Sequence, residues 1–203
     1  MNVRLLVTLE CERTCAKCCN RPGRGPRPKM VTSRELADAN MILLTGGEPL
    51  LFPVHLLTTI HMLRSLTNAK LIVYTAAINQ GMLLTQVIEA ADGITLTLHS
   101  QADADLFATW SRVYKPPRGK SLRLNVFKGI KYTAPKGWIV QDNMVWANKC
   151  TLPKNEIYRR YPKLWTAADN PFKVVRWTAM GSWVKYGDQG YTTKHRKLVI
   201  KGK

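Results

Sequence analysis

Three cysteines near the start of the chain are the residues best suited to chemistry. Cys11, Cys15 and Cys18 follow an apolar run at residues 3–9 and precede a loop rich in Pro, Gly and Arg at residues 21–28. Their spacing would also place three thiols on one face of a helix. That loop cannot continue a helix, however, and the residues between the cysteines provide no apolar face. The pattern therefore indicates a single binding loop.

Neighbouring thiolates suit a soft metal centre, because sulfur ligands select zinc and iron–sulfur clusters. A tetrahedral zinc ion needs a fourth ligand, whereas an iron–sulfur cubane held by three cysteines leaves one iron open. Cys19 adjoins Cys18 and is poorly placed to turn its sulfur toward the same ion, and Cys150 is far along the chain. An open-iron [4Fe-4S] cluster is the leading interpretation, and a closed zinc site is the alternative.

A second motif, Thr45-Gly46-Gly47-Glu48-Pro49, follows the apolar run at residues 41–44. Alone it predicts a tight turn. Together with the cysteines it resembles the radical S-adenosylmethionine enzymes, whose hallmark is CxxxCxxC after the first strand and Gly-Gly-Glu-Pro after the second. Lys17 stands where that family usually has an aromatic residue. The small size and Cys18-Cys19-Asn20 are similar to glycyl-radical activases, and the Thr45 lead-in is similar to 7-carboxy-7-deazaguanine synthase.

The resemblance implies which residues hold the cofactors. Cys11, Cys15 and Cys18 would be both the metal ligands and the catalytic residues. S-adenosylmethionine would bind through its amino group to the turn formed by Gly46, Gly47, Glu48 and Pro49, and would complete the open iron. Further cofactor contacts are expected near strand ends, at Thr75, His99, Asn125 and Val140. For Thr75, His99 and Asn125, a polar residue satisfied within the protein is an equally good interpretation.

The resemblance also implies the reaction. A reduced cluster passes one electron to the sulfonium, the C–S bond breaks, and a 5′-deoxyadenosyl radical removes hydrogen from a substrate. The chain would be an oxidoreductase that takes electrons from a donor such as flavodoxin or ferredoxin. Glycyl-radical activation, deazapurine synthesis and RNA or nucleotide modification are the candidate activities. The alternative is a zinc-stabilised nucleic-acid-binding module without catalysis.

Composition predicts a globular protein of one domain, or one domain plus an extension, because 203 residues with 45% apolar composition can bury a core. There is no apolar run long enough to span a membrane, and Glu10 and Glu12 interrupt the first apolar run, so neither a membrane association nor a signal peptide is expected. Four of the five cysteines fall within nine positions, which is not a disulfide framework. The expected compartment is the cytoplasm.

The chain is strongly basic, with a formal net charge of +18 from 31 Lys and Arg against 13 Asp and Glu. Residues 149–203 alone carry thirteen basic and three acidic residues, a net charge of +10. A nucleic acid, an acidic protein or an anionic small substrate would fit this segment, although solvated surface charge explains it equally well. Aromatic residues are interleaved with these cations and suit either base stacking or packing against the sheet. They are Tyr158, Tyr161, Trp165, Trp177, Trp183, Tyr186 and Tyr191.

Strand-like and helix-like segments alternate along the first two thirds of the chain. Strands are predicted at residues 3–9, 41–44, 71–74, 93–98, 122–127 and 138–140, and helices at residues 54–66, 82–91 and 101–113, with a short helix opening at Thr32. This alternation is typical of parallel βαβ units and predicts an α/β fold. The resemblance implies a partial (β/α)6 barrel over residues 1–148. Residues 149–203 are then a basic, aromatic-rich extension packing on or beside the barrel.

Overall fold

The predicted strands and helices all form, and the structure adds strands that the hydrophobic periodicity does not predict. The computed structural model describes residues 1–21, 23–147 and 151–169, together with the backbone of residues 175–177 and 183–185. The strands are β1 (Asn2–Thr8), β2 (Lys29–Met30), β3 (Met41–Gly46), β4 (Lys70–Thr75), β5 (Gly93–Leu98), β6 (Ser121–Phe127), β7 (Ile139–Met144) and β8 (Glu156–Trp165). The helices are α1 (Ser33–Ala37), α2 (Pro53–Leu66), α3 (Gly81–Ala90) and α4 (Gln101–Val113).

Local signals explain where the helices begin. The Thr32 hydroxyl accepts from the backbone N–H of Glu35, whose carboxylate accepts from the Thr32 N–H, so that α1 opens with a capping box. Ser100 and Asp103 form the same reciprocal pair at the start of α4. Pro53 opens α2, where its missing N–H and fixed φ cost nothing.

Strands β1 to β8 form one open sheet in the order β2-β8-β1-β3-β4-β5-β6-β7, and all neighbouring pairs are parallel. The predicted α/β fold with parallel strands is therefore confirmed. Successive residues Leu5, Leu6 and Val7 are all buried, as expected for a strand covered on both faces. One face packs against the helices, where Leu56, Leu84 and other apolar side chains complete the core.

Strand β8 is missing from the sequence prediction because its charged residues and Pro162 obscure the apolar pattern. It lies parallel to β1, with Asn2 opposite Glu156, and its register shifts where Leu6 pairs with Arg160 but Thr8 pairs with Trp165. An irregular strand near a sheet edge tolerates proline, because fewer ladder hydrogen bonds are lost there. The guanidinium of Arg4 forms an ion pair with Glu156 at 2.8 Å, and that of Arg159 forms one with Glu35 at 2.7 Å.

The first compact unit comprises Met1–Asn170, so part of the segment assigned to the basic extension belongs to the main sheet. Within it, Trp165 is buried in the core and Tyr161 packs against that core, which supports packing as their role. Helices α1 to α4 are all too short or too polar to cross a membrane, as are the other helices in the described part of the chain.

The second unit comprises Pro171–Lys203. It contains two antiparallel strands, β9 (Val175–Trp177) and β10 (Trp183–Lys185), in which Trp183 pairs with Trp177. The predictions made for Cys150, Tyr186 and Tyr191, and for the side chains of Trp177 and Trp183, lie outside the described residues.

Candidate functional site

The cysteine loop and the diglycine turn meet at the carboxyl ends of β1 and β3. The N–H of Gly47 donates to the Thr8 carbonyl at 2.7 Å, and the N–H of Glu48 donates to the Glu10 carbonyl at 2.7 Å. The Asn20 side-chain amide donates to the Gly46 carbonyl. Because β1 and β3 are parallel neighbours, both motifs emerge at the same edge of the sheet. The turn thus holds the two ends of the segment that carries the three cysteines.

Both glycines of the turn are required by this close approach. A Cβ atom at Gly46 would lie 2.2 Å from the Thr8 carbonyl oxygen, and one at Gly47 would lie 1.9 Å from the Glu10 carbonyl oxygen. The neighbouring atoms are backbone and cannot turn aside as a side chain can. The diglycine sequence is therefore a condition for docking the cysteine loop on the sheet.

Cys11, Cys15 and Cys18 line one cavity of about 220 Å³. All three thiols are free, and the backbone N–H of Cys18 donates to the Cys15 carbonyl at 3.3 Å. In the described ranges, no three His, Cys, Asp or Glu side chains come together closely enough to hold a metal ion. The three thiols therefore line the same cavity but do not converge on one point. Their number, chemical type and common cavity fit a soft metal centre.

Arg13 and Lys17 lie beside the cysteines, where a cation favours the thiolate form, whereas burial opposes it at two of the thiols. Burial raises the pKa of the Cys11 thiol, and the neighbouring Glu48 carboxylate adds to the rise. Burial also raises the pKa of the Cys15 thiol, although the Arg13 cation opposes it. Desolvation of the loop therefore outweighs the nearby cation in this state of the protein.

The carboxylate of Glu48 is buried and bonded within the protein. It accepts from the Thr75 hydroxyl at 2.6 Å, from the Ala76 N–H at 2.8 Å and from the Leu50 N–H at 3.1 Å. Burial raises the pKa of this carboxyl group, and these hydrogen bonds oppose the rise. Glu48 caps the short 3-10 helix that Pro49 opens. Thr75, predicted as a cofactor contact, is in this structure the residue that orients Glu48.

Arg13 joins the cysteine loop to residues that follow β4 and β5. Its guanidinium donates to both oxygens of Asp103, at 3.1 and 2.7 Å, and to the Ala76 carbonyl at 2.6 Å. Asp103 also accepts from the His99 N–H at 2.9 Å. Burial alone would raise the pKa of Asp103, but the Arg13 hydrogen bonds hold it below its ordinary value. The loop is thereby joined to the ends of β4 and β5 as well as to β3.

His99 lies at the end of β5 in an aromatic cluster. Its ring centroid is 5.0 Å from that of Phe127 and 5.3 Å from that of Trp146. Nδ1 of His99 is buried and has no hydrogen-bond partner within the described part of the chain. Burial, with a smaller effect from the Arg13 cation, lowers the pKa of His99 from 6.5 to about 4. The imidazole is therefore neutral at pH 7.

This shift predicts a stability loss in acid. Unfolded His99 binds a proton near pH 6.5 while folded His99 resists it to about pH 4, so its contribution to stability falls as pH decreases through that window. We expect wild-type protein to lose about 2 kcal/mol more than His99→Gln between pH 7 and pH 4, measured by denaturant unfolding. Equal profiles for wild type and His99→Gln would contradict this prediction.

Two predicted contacts lie away from the cysteine cavity. Asn125 lies within β6 and donates to the Thr97 hydroxyl at 3.5 Å. Val140 pairs with Leu124 near the start of β7 and packs against the core. Strand β7 continues to Met144, so its carboxyl end lies beyond the predicted strand.

The structure adds residues that the motifs did not single out. Asn20 lines the cysteine cavity and accepts from the Tyr158 hydroxyl at 3.3 Å, which links the loop to β8. Burial raises the pKa of Tyr158. The spacing of Ser100 and Asp103 is typical of a capping box and could have drawn attention to Asp103. The partners of Arg13 and Asn20 are distant in sequence, so no local pattern could have predicted these contacts.

The chain was compared with protein families, curated proteins and solved structures. No family model matches the chain, and neither a curated protein nor a solved structure is significantly similar to it. The motifs and the contacts that join them therefore carry the functional assignment.

Proposed function

We propose that the chain is a radical S-adenosylmethionine enzyme with one [4Fe-4S] cluster. The observation that carries the proposal is the direct hydrogen bonding between the cysteine loop and the diglycine turn at the carboxyl edge of a parallel sheet. In this proposal β1 and β3 to β7, which follow one another across the sheet in chain order, are the six strands of a partial (β/α)6 barrel.

The residues then have distinct roles. Cys11, Cys15 and Cys18 would hold the cluster, and the backbone of Gly46 and Gly47 with Glu48 would hold the methionine amino group of S-adenosylmethionine. When bound, these cofactors supply one-electron cleavage of the sulfonium and a radical that abstracts hydrogen. The chain's own residues position this chemistry, because Arg13 and Asn20 fix the cysteine loop and Thr75 fixes Glu48.

His99 would contribute packing and not proton transfer near neutral pH, because its pKa of about 4 leaves the ring uncharged. Trp146 and Phe127 stack beside it at 4.4 Å between ring centroids. These rings pack together at the end of β6.

The proposal extends to partners and compartment. A one-electron donor such as flavodoxin or ferredoxin would reduce the cluster in the cytoplasm. Glycyl-radical activation, deazapurine synthesis and nucleotide or RNA modification remain the candidate activities, and the charge of +18 favours an anionic substrate or partner.

Anaerobic purification tests the proposal. We expect a brown protein that contains iron and sulfide and releases 5′-deoxyadenosine when dithionite and S-adenosylmethionine are added. A colourless protein that carries zinc and makes no nucleoside would contradict it and favour the zinc-stabilised nucleic-acid-binding module. Iron-loaded protein that makes no 5′-deoxyadenosine under reducing conditions would also refute the enzyme assignment.

A further inference from the structure

A cationic groove of about 340 Å³ lies between β2, with the loop before it, and the first half of β8. Arg27 lines it from the loop, Lys29 lines it from β2, and Tyr158 and Arg159 line it from β8. Its volume falls within the range of small-ligand sites, which is about 300–1,000 Å³. The groove is separate from the cysteine cavity, and neither motif of the sequence predicts it.

The cations of Arg27 and Lys29 are available to a ligand. Arg27 and Lys29 are exposed and form no ion pair within residues 1–21, 23–147 and 151–169. Glu156 also lines the groove, but Arg4 binds it at 2.8 Å. Outside the described residues the chain has a single acidic residue, Asp188. The protein therefore has few carboxylates with which to neutralise these cations.

The positive charge continues from the groove toward the cysteine cavity. Arg21 lines that cavity, Arg24 follows three residues later, and Arg27 and Lys29 complete the series. Nη1 of Arg24 is buried and lacks a hydrogen-bond partner in the described part of the chain. Tyr158 links the two spaces, because it lines the groove and donates to Asn20 in the cavity wall.

We propose that Arg21, Arg24, Arg27 and Lys29, together with Tyr158, bind the backbone of single-stranded nucleic acid. Regularly repeated phosphates match cations that recur every two or three residues along one segment. Three of the four cations are arginines, whose planar guanidinium groups pair with phosphate oxygens through two hydrogen bonds. Tyr158 supplies an aromatic ring beside the cations, as in sites where bases stack without sequence preference.

Binding of labelled oligonucleotides by the full-length chain tests this proposal. Fluorescence anisotropy with uridine and thymidine oligomers of about 12 nucleotides should show binding that weakens as salt rises. Each phosphate contact contributes about 0.7 to the slope of log affinity against log salt for a single strand. The double variant Arg27→Gln/Lys29→Gln should therefore reduce the slope by about 1.4 and weaken binding about 25-fold at 0.1 M salt.

A matched control separates a local site from diffuse attraction. Lys115→Gln/Arg118→Gln removes the same charge from two exposed residues between α4 and β6, and it should retain the wild-type slope. Equal losses in the two double variants would overturn the proposal, as would stronger competition by a poly-glutamate peptide of equal charge than by unlabelled RNA. Binding is measured without iron or S-adenosylmethionine, so a negative result leaves the proposed cysteine chemistry unaffected.

Discussion

Cys15→Ala should abolish 5′-deoxyadenosine formation and leave the fold intact. With two of the three thiols left in the cavity, the cluster would lose a ligand, so reconstituted protein should hold little iron and form nucleoside only at background level. Cys15 is half-buried at the sheet edge and outside the apolar core, so we expect the free energy of unfolding to change by less than about 1 kcal/mol. Iron analysis, nucleoside chromatography and denaturant unfolding provide the three measurements.

Thr14→Ala is the matched control for this variant. Thr14 lies beside Cys15, is exposed and is not a sulfur ligand, so the variant should bind iron and form nucleoside as the wild type does. If Cys15→Ala retained full nucleoside formation, Cys15 would not be a ligand. If it unfolded the whole protein, the cysteines would be structural, as in the zinc-stabilised alternative.

Gly47→Ala should destabilise the protein more than Gly119→Ala does. Its new methyl group would lie 1.9 Å from the Glu10 carbonyl oxygen, where only backbone movement can relieve the clash. That movement would break the hydrogen bonds from Gly47 to Thr8 and from Glu48 to Glu10. We expect a loss of about 3 kcal/mol in the free energy of unfolding, measured with denaturant, together with lower iron content after reconstitution.

Gly119→Ala distinguishes this clash from backbone strain. Gly119 has φ of +83°, but a Cβ atom there meets no atom within 4 Å. Its substitution should cost about 1 kcal/mol, through the left-handed backbone conformation alone, and should leave the iron content unchanged. Similar losses at Gly47 and Gly119 would show that the contact between the turn and the cysteine loop is not the cause.

The sequence also predicted where most strands and helices lie, because hydrophobic periodicity is a local property. Residues 71–74 are predicted as a strand and form the centre of β4, residues 93–98 form the whole of β5, and residues 101–113 form α4. Prediction failed where the local pattern was overridden. Strand β8 contains Arg159, Arg160 and Pro162, and it forms because β1 offers a buried edge and Arg4 and Glu35 offer ion-pair partners.

For the candidate site, too, the local motifs were predictable and the long-range contacts were not. Three closely spaced thiols and a diglycine turn can be recognised from the sequence, because each of these motifs consists of neighbouring residues. The folded structure is needed to see that Thr75 holds Glu48, that Arg13 pairs with Asp103, and that a cationic groove adjoins the cysteine cavity. The physical reason is that hydrogen bonds, ion pairs and burial act between residues that only folding brings together, 27 positions apart for the first pair and 90 for the second.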